Sequence, residues 1–109
     1  MSDIEEITSV LIKFRNDRDW EQFHNPKDLS IALNIETSEL LENFLWKSND
    51  EIDIVNLKDE LADVFAYGFL LANKYGFNIK EIMLDKIRKN GLKYPINKSK
   101  GTSKKYNKF

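Results

Sequence analysis

Two short acidic patterns carry the chemistry available to this chain, Glu36-Thr-Ser-Glu39 and Glu60-Leu-Ala-Asp63. Each pair sits three residues apart inside an apolar, helix-like run. At 3.6 residues per turn, positions i and i+3 lie roughly 60° apart and about one turn along the axis, so each pair shares a face. The polar break Lys47-Ser-Asn-Asp-Glu-Ile-Asp53 separates the two runs. Helices joined by so short a loop are antiparallel neighbours, and all four carboxylates can face one gap. On a helical wheel Glu36 falls between Leu29 and Leu40, on the apolar stripe itself. Glu60 and Asp63 lie beside the stripe of Leu57, Leu61, Val64 and Leu71, and Tyr67 extends their row by a turn.

Carboxylates are seldom buried without partners, because desolvating the charge costs several kcal/mol. Basic residues are scarce here: Lys47 and Lys58 are near in sequence, and Lys58 points elsewhere on the wheel. A hard divalent cation with oxygen ligands, Mg²⁺ or Mn²⁺ in its place, meets the need. Solvated edges of amphipathic helices would account for one such pair. Two pairs in facing helices, one acid on the apolar stripe, favour a site.

The elements that must hold these acids can be read along the chain. Ser2-Asp-Ile-Glu5 is a capping-box pattern, and Ile4, Ile7, Leu11 and Phe14 predict a helix to about residue 17. The period is lost through Arg15-Asn-Asp-Arg-Asp-Trp20. Asn25-Pro26 starts a second helix, which the apolar pattern carries to Trp46 or Lys47. A third helix is predicted from about Ile54 to Tyr75, with Gly76 just past its end. Gly68 in its middle suggests close helix packing, given its propensity cost of about 1 kcal/mol. Asn78-Ile-Lys-Glu81 opens a fourth helix that should end near Gly91, and the Lys-, Ser- and Asn-rich remainder reads as an irregular tail. The expectation is an all-α, four-helix domain over 1–95 with a basic tail over 96–109. Ile31, Ile35 and Leu45, with Phe65 and Phe69, lie off the main stripes, so a homo-oligomer, dimer or tetramer, is expected.

Composition narrows the classes. The 109 residues include no cysteine, which removes disulfides, thiolate metal sites and a cysteine nucleophile. No apolar run reaches the ~18 residues of a membrane span, and the acidic N-terminus has no signal-like segment, so no membrane partner is expected and the cytoplasm is the expected compartment. The net charge of −1 conceals an asymmetry: from position 86 onward there are nine basic residues and no acidic one. An acidic body with a basic end suits a metal-bridged polyphosphate ligand or nucleic acid.

With these patterns in place, the chain resembles the MazG-like all-α nucleoside triphosphate pyrophosphohydrolases, and within them the dCTP pyrophosphatase branch. The resemblance rests on the two acid pairs together with Arg18-Asp-Trp-Glu-Gln-Phe-His24, Ala32-Leu33, Phe44-Leu-Trp46, Asp85-Lys86-Ile-Arg-Lys-Asn90, Lys93-Tyr-Pro95 and Ser103-Lys-Lys-Tyr106. It covers nearly everything from residue 14 onward. Ile35 and Ser38 depart from it, standing where the family often has glycine. The resemblance implies Mg²⁺-dependent cleavage between the α- and β-phosphates of a nucleotide, with release of pyrophosphate. It implies that Glu36, Glu39, Glu60 and Asp63 hold the metal and carry catalysis. It also implies a base pocket of Trp20, His24 and Trp46, phosphate contacts from Lys86 and Asn90, and sugar or phosphate contacts from Tyr67 and Tyr94.

Three other classes fit less well. A di-iron bundle needs Glu-x-x-His motifs, and His24 lies outside any. A nucleic-acid-binding module would use the basic tail but give the inward acids no purpose, so nucleic acid is not the expected partner. A non-catalytic helical oligomer explains the apolar faces but not Glu36.

Overall fold

The computed structural model describes residues 1–109, and four long helices dominate it: α1 (Asp3–Asp17), α2 (Pro26–Glu42), α3 (Ile54–Tyr75) and α4 (Ile79–Lys93). There is no strand. The helix starts follow from local side-chain chemistry. Ser2 and Glu5 close a reciprocal capping box on α1. Asn25 accepts from the backbone of Asp28, with Pro26 at the first turn of α2. Asp53 accepts from the Asn56 N–H to open α3, and Asn78 accepts from Glu81 to open α4. Each satisfies a donor that the first turn leaves without a partner. Gly76, at φ 69°, ends α3 in the left-handed region that glycine enters at little cost.

The chain divides into two compact units, residues 1–76 and 77–109. In the first, α2 and α1 both pack on α3. Leu29, Leu70 and Ala72 are its buried apolar residues. That is a small core for three helices, and Ile31, Ile35, Leu45 and Phe65 are all exposed.

The second unit holds α4, a short helix α5 (Ile96–Ser99) and a 3-10 turn at Tyr106–Lys108. The Tyr94 ring meets Tyr106 and Phe109 edge-on, at 6.0 and 5.9 Å between centroids. The Lys93 ammonium lies 5.1 Å from the Tyr106 ring centroid.

The helix boundaries differ from expectation at three places. α2 stops at Glu42, four residues short of Trp46. Asn43 turns its amide back onto the carbonyls of Glu39 and Leu40, and the chain tightens into i→i+3 turns through Lys47. No glycine or proline marks this stop. It is made by a side chain competing for backbone carbonyls inside an apolar sequence. α4 continues past Gly91 to Lys93, and the 96–109 segment contains a helical turn at α5. Gly68 also differs: a Cβ placed there would meet nothing within 4 Å, so no close approach inside the chain requires it.

Asn43 does a second job. Its Oδ1 accepts from Asn56 Nδ2 at 2.5 Å, joining the end of α2 to the start of α3. Asn43 lies one turn beyond Glu39, and Asn56 one turn before Glu60. Asn56→Ala is expected to cost about 1 kcal/mol, measured by denaturant unfolding. Adding Asn56→Ala to Asn43→Ala should cost less than the sum of the two single losses, because the shared bond is already gone.

Candidate functional site

α2 and α3 bring three of the four acids to one point. Carboxylate oxygens of Glu36, Glu60 and Asp63 all lie within 4.8 Å of one another. Glu36 and Glu60 are partly buried and Asp63 is exposed. Glu39 stands outside that triad but beside Glu36 and Glu60, close enough that its carboxyl would share a proton with either. Glu36 Oε2 is buried and has no hydrogen-bond partner.

The electrostatics follow from crowding. Burial pushes the Glu36 carboxyl up to about 7, with proton sharing by Glu39 and the charges of Glu39, Asp63 and Glu60 adding to it. Burial also raises Glu60, reinforced by Glu39 and Asp63. Without a cation, then, the cluster resists full ionisation. An orphaned buried oxygen and an all-oxygen donor set of like charge fit a hard divalent ion.

Beside the acids is a cavity of about 230 Å³ within residues 1–76, reached along α3 from Asp63 through Tyr67 to Leu70. Trp20, His24 and Tyr67 line it. Trp20 sits edge-on to Phe14, with centroids 5.8 Å apart, and the rings of His24 and Tyr67 meet at 6.5 Å. His24 Nδ1 is buried without a partner. Burial lowers the imidazole from its ordinary value, helped by the charges of Arg15 and Lys74, so the ring is neutral at pH 7. Burial and the charges of Glu36, Asp63 and Glu39 raise the Tyr67 phenol, which keeps its proton and remains a donor.

Trp46 stands apart from this cavity. It is 92% exposed and lines a separate, open cavity with Phe44 and Leu45. Its φ of 60° is left-handed, a conformation that costs a non-glycine residue about 1–2 kcal/mol. Lys86 and Asn90 are exposed on α4, one turn apart, and Tyr94 follows that helix in the second unit. Asp85, beside Lys86, pairs with Arg88 and Lys89 at 3.0 and 2.9 Å, so those two cations are engaged locally.

One lining residue went unread in the sequence. Arg15 is 7% exposed, the one buried charged residue of the chain, and it lines the Trp20–His24 cavity. The signal was present: Arg15 follows Leu11 by four, which puts a charge in register with the apolar stripe of α1, as with Glu36 on α2.

The chain belongs to the MazG-like family, whose model matches residues 31–109. Among its relatives, the mouse protein named dCTP pyrophosphatase 1 is 35% identical, and the match covers 94% of this chain and 65% of the mouse protein. The human protein of the same name is 34% identical over the same shares. The chain thus spans about 65% of the length of these curated relatives. Its fold matches the crystal structure of a pyrophosphatase from Archaeoglobus fulgidus, with a TM-score of 0.81 and 35% identity, over 87% of this chain and 94% of the other.

Proposed function

We propose that this chain is a metal-dependent nucleoside triphosphate pyrophosphohydrolase that converts dCTP or a related pyrimidine nucleotide to its monophosphate and pyrophosphate. The observation that carries the reading is the cluster of Glu36, Glu60 and Asp63, with a buried, unpartnered oxygen on Glu36, at one end of an aromatic cavity. The names of its relatives support the reaction and the base.

Glu36, Glu60 and Asp63 would hold Mg²⁺, with Mn²⁺ as a substitute, and Glu39 completes the carboxylate set. The ion supplies charge neutralisation of the triphosphate and polarisation of the phosphorus under attack. Glu39, exposed beside Glu36 and Glu60, takes the proton of the attacking water. The water oxygen bonds to phosphorus, the bridging P–O bond between the α- and β-phosphates breaks, and pyrophosphate leaves. Trp20 and neutral His24 receive the base, and the Tyr67 phenol donates to sugar or phosphate.

Lys86, Asn90 and Tyr94 supply phosphate contacts from the basic end of the chain. Trp46 supplies a further base contact, and its strained, exposed backbone supports a role outside the core. The protein works as a homo-oligomer, because the apolar area left open on α2 and α3 exceeds what one chain covers. No helix is long and apolar enough to cross a membrane, and a cytoplasmic nucleotide-pool role is the proposed setting.

A panel of nucleoside triphosphates scored for pyrophosphate tests the reading, with dCTP expected to be hydrolysed fastest. Substitutions should then separate two functions. Trp46→Ala is expected to reduce discrimination among bases by about tenfold. Lys86→Ala should slow every nucleotide by a similar factor. Release of orthophosphate instead of pyrophosphate would refute the proposed bond cleavage.

A further inference from the structure

We propose that Arg15 is the residue that distinguishes cytosine from uracil and thymine, by donating two N–H groups to the adjacent O2 and N3 acceptors of the cytosine ring. The inference rests on the pyrimidine nucleotide reading above and deepens it.

A guanidinium is charged at every physiological pH, and burying it without a partner costs several kcal/mol. Arg15 is buried, yet its partners are few. Its Nε donates to the Asn16 side chain at 3.1 Å. Its terminal Nη2 comes no closer than 3.6 Å to Glu21, whose side chain is 58% exposed. That distance is too long for a hydrogen bond. Glu21 thus offers the guanidinium a loose charge pairing and no hydrogen bond, so its terminal nitrogens keep donors to offer, and Arg15 itself lines a cavity whose other walls are chiefly rings and apolar groups.

The position suits a base. Asp63 belongs to the acid cluster and also lines this cavity, with Tyr67 one turn and Leu70 two turns further along α3. A triphosphate held at the acids would direct its base toward Arg15, Trp20 and His24. Cytosine presents O2 and N3 side by side, both acceptors, the pattern that a planar guanidinium fork meets in a bidentate way. Uracil and thymine present an N3–H donor in place of one acceptor, so one arginine N–H would face another donor. Unlike a pocket that only stacks, this arrangement reads the Watson–Crick edge.

The test uses the full chain, dCTP, dTTP and 3-deaza-dCTP, in which a C–H replaces N3. A bidentate arginine contact supports discrimination on the order of 10- to 100-fold. The wild-type chain should prefer dCTP over both other nucleotides by that factor. Arg15→Lys, which keeps the charge and loses the fork, should bring all three within a few-fold at an unchanged melting temperature. In parallel, dCMP and dUMP are titrated by calorimetry, which requires no turnover. A wild-type chain that treats 3-deaza-dCTP like dCTP overturns the inference, with no variant needed. So does a folded Arg15→Lys that keeps its preference in both assays. If no nucleotide releases pyrophosphate, the hydrolase reading falls. In that case an Arg15-dependent preference for dCMP still upholds the base contact, and equal dCMP and dUMP binding overturns it.

Discussion

Glu36→Gln is expected to lower pyrophosphate release by at least about 10²–10³-fold, and excess chelator should bring the wild-type chain to the same floor. Asp63→Asn should follow Glu36→Gln. The same substitution should have an opposite effect on the metal-free fold. The Glu36 carboxyl is raised from 4.5 to about 7 by burial and its acidic neighbours. A carboxyl that is easier to protonate when folded stabilises the fold below its unfolded value, and that contribution is lost as pH rises through about 7. Metal-free wild-type protein should therefore melt lower at pH 8 than at pH 5. Metal-free Glu36→Gln should lose less over that range and melt several degrees above wild type at pH 8. Added Mg²⁺ should stabilise wild type and do little for the variant. Undiminished activity in chelator would sink the metal reading.

The second large effect concerns assembly. Light scattering at micromolar concentration is expected to report a particle larger than the 12.8 kDa chain. Phe65 is 57% exposed on α3 and Ile35 is 51% exposed on α2. Full burial of side chains of this size is worth about 1.5–3 kcal/mol each. Replacing either by glutamate removes that gain from both sides of a symmetric contact and adds a charge to desolvate. Phe65→Glu should weaken association by 10²-fold or more and lower the melting temperature. A stable wild-type monomer at micromolar concentration would refute this.

The sequence made the four helices legible because their starts are side-chain chemistry that can be read locally: Ser2 with Glu5, Asn25 with Pro26, Asp53, and Gly76 as a stop. The end of α2 was not legible. Phe44-Leu45-Trp46 continues an apolar helix pattern, and the residue that stops it, Asn43, acts by turning its amide onto the Glu39 and Leu40 carbonyls while Asn56 holds its oxygen from across the helix pair. The acid cluster was legible from spacing, since period and face suffice to bring Glu36, Glu60 and Asp63 together. The place of Glu39 at its margin was not, because a three-residue spacing fixes the face and leaves side-chain reach open. Arg15 escaped because it falls where the period of α1 gives way, although its place four residues after Leu11 keeps it in register with the apolar stripe.

The Asn43–Asn56 bond has a consequence for how such a protein can diversify. It closes the α2–α3 pair just outside the acids, so the connecting segment beyond it hangs from a fixed base. Lengthening that segment between Lys47 and Glu51 adds mainly loop-closure entropy, about 0.6 kcal/mol per doubling, and leaves the carboxylate spacing unchanged. Trp46, the proposed base contact, is on the outer side of this tie, and the acids are on the inner side. The Trp46 contact is thus mechanically separate from the acids, whereas the cavity of Arg15, Trp20 and His24 adjoins them through Asp63. Under the proposed function, mutation around Trp46 can retune base preference while the carboxylates stay in register.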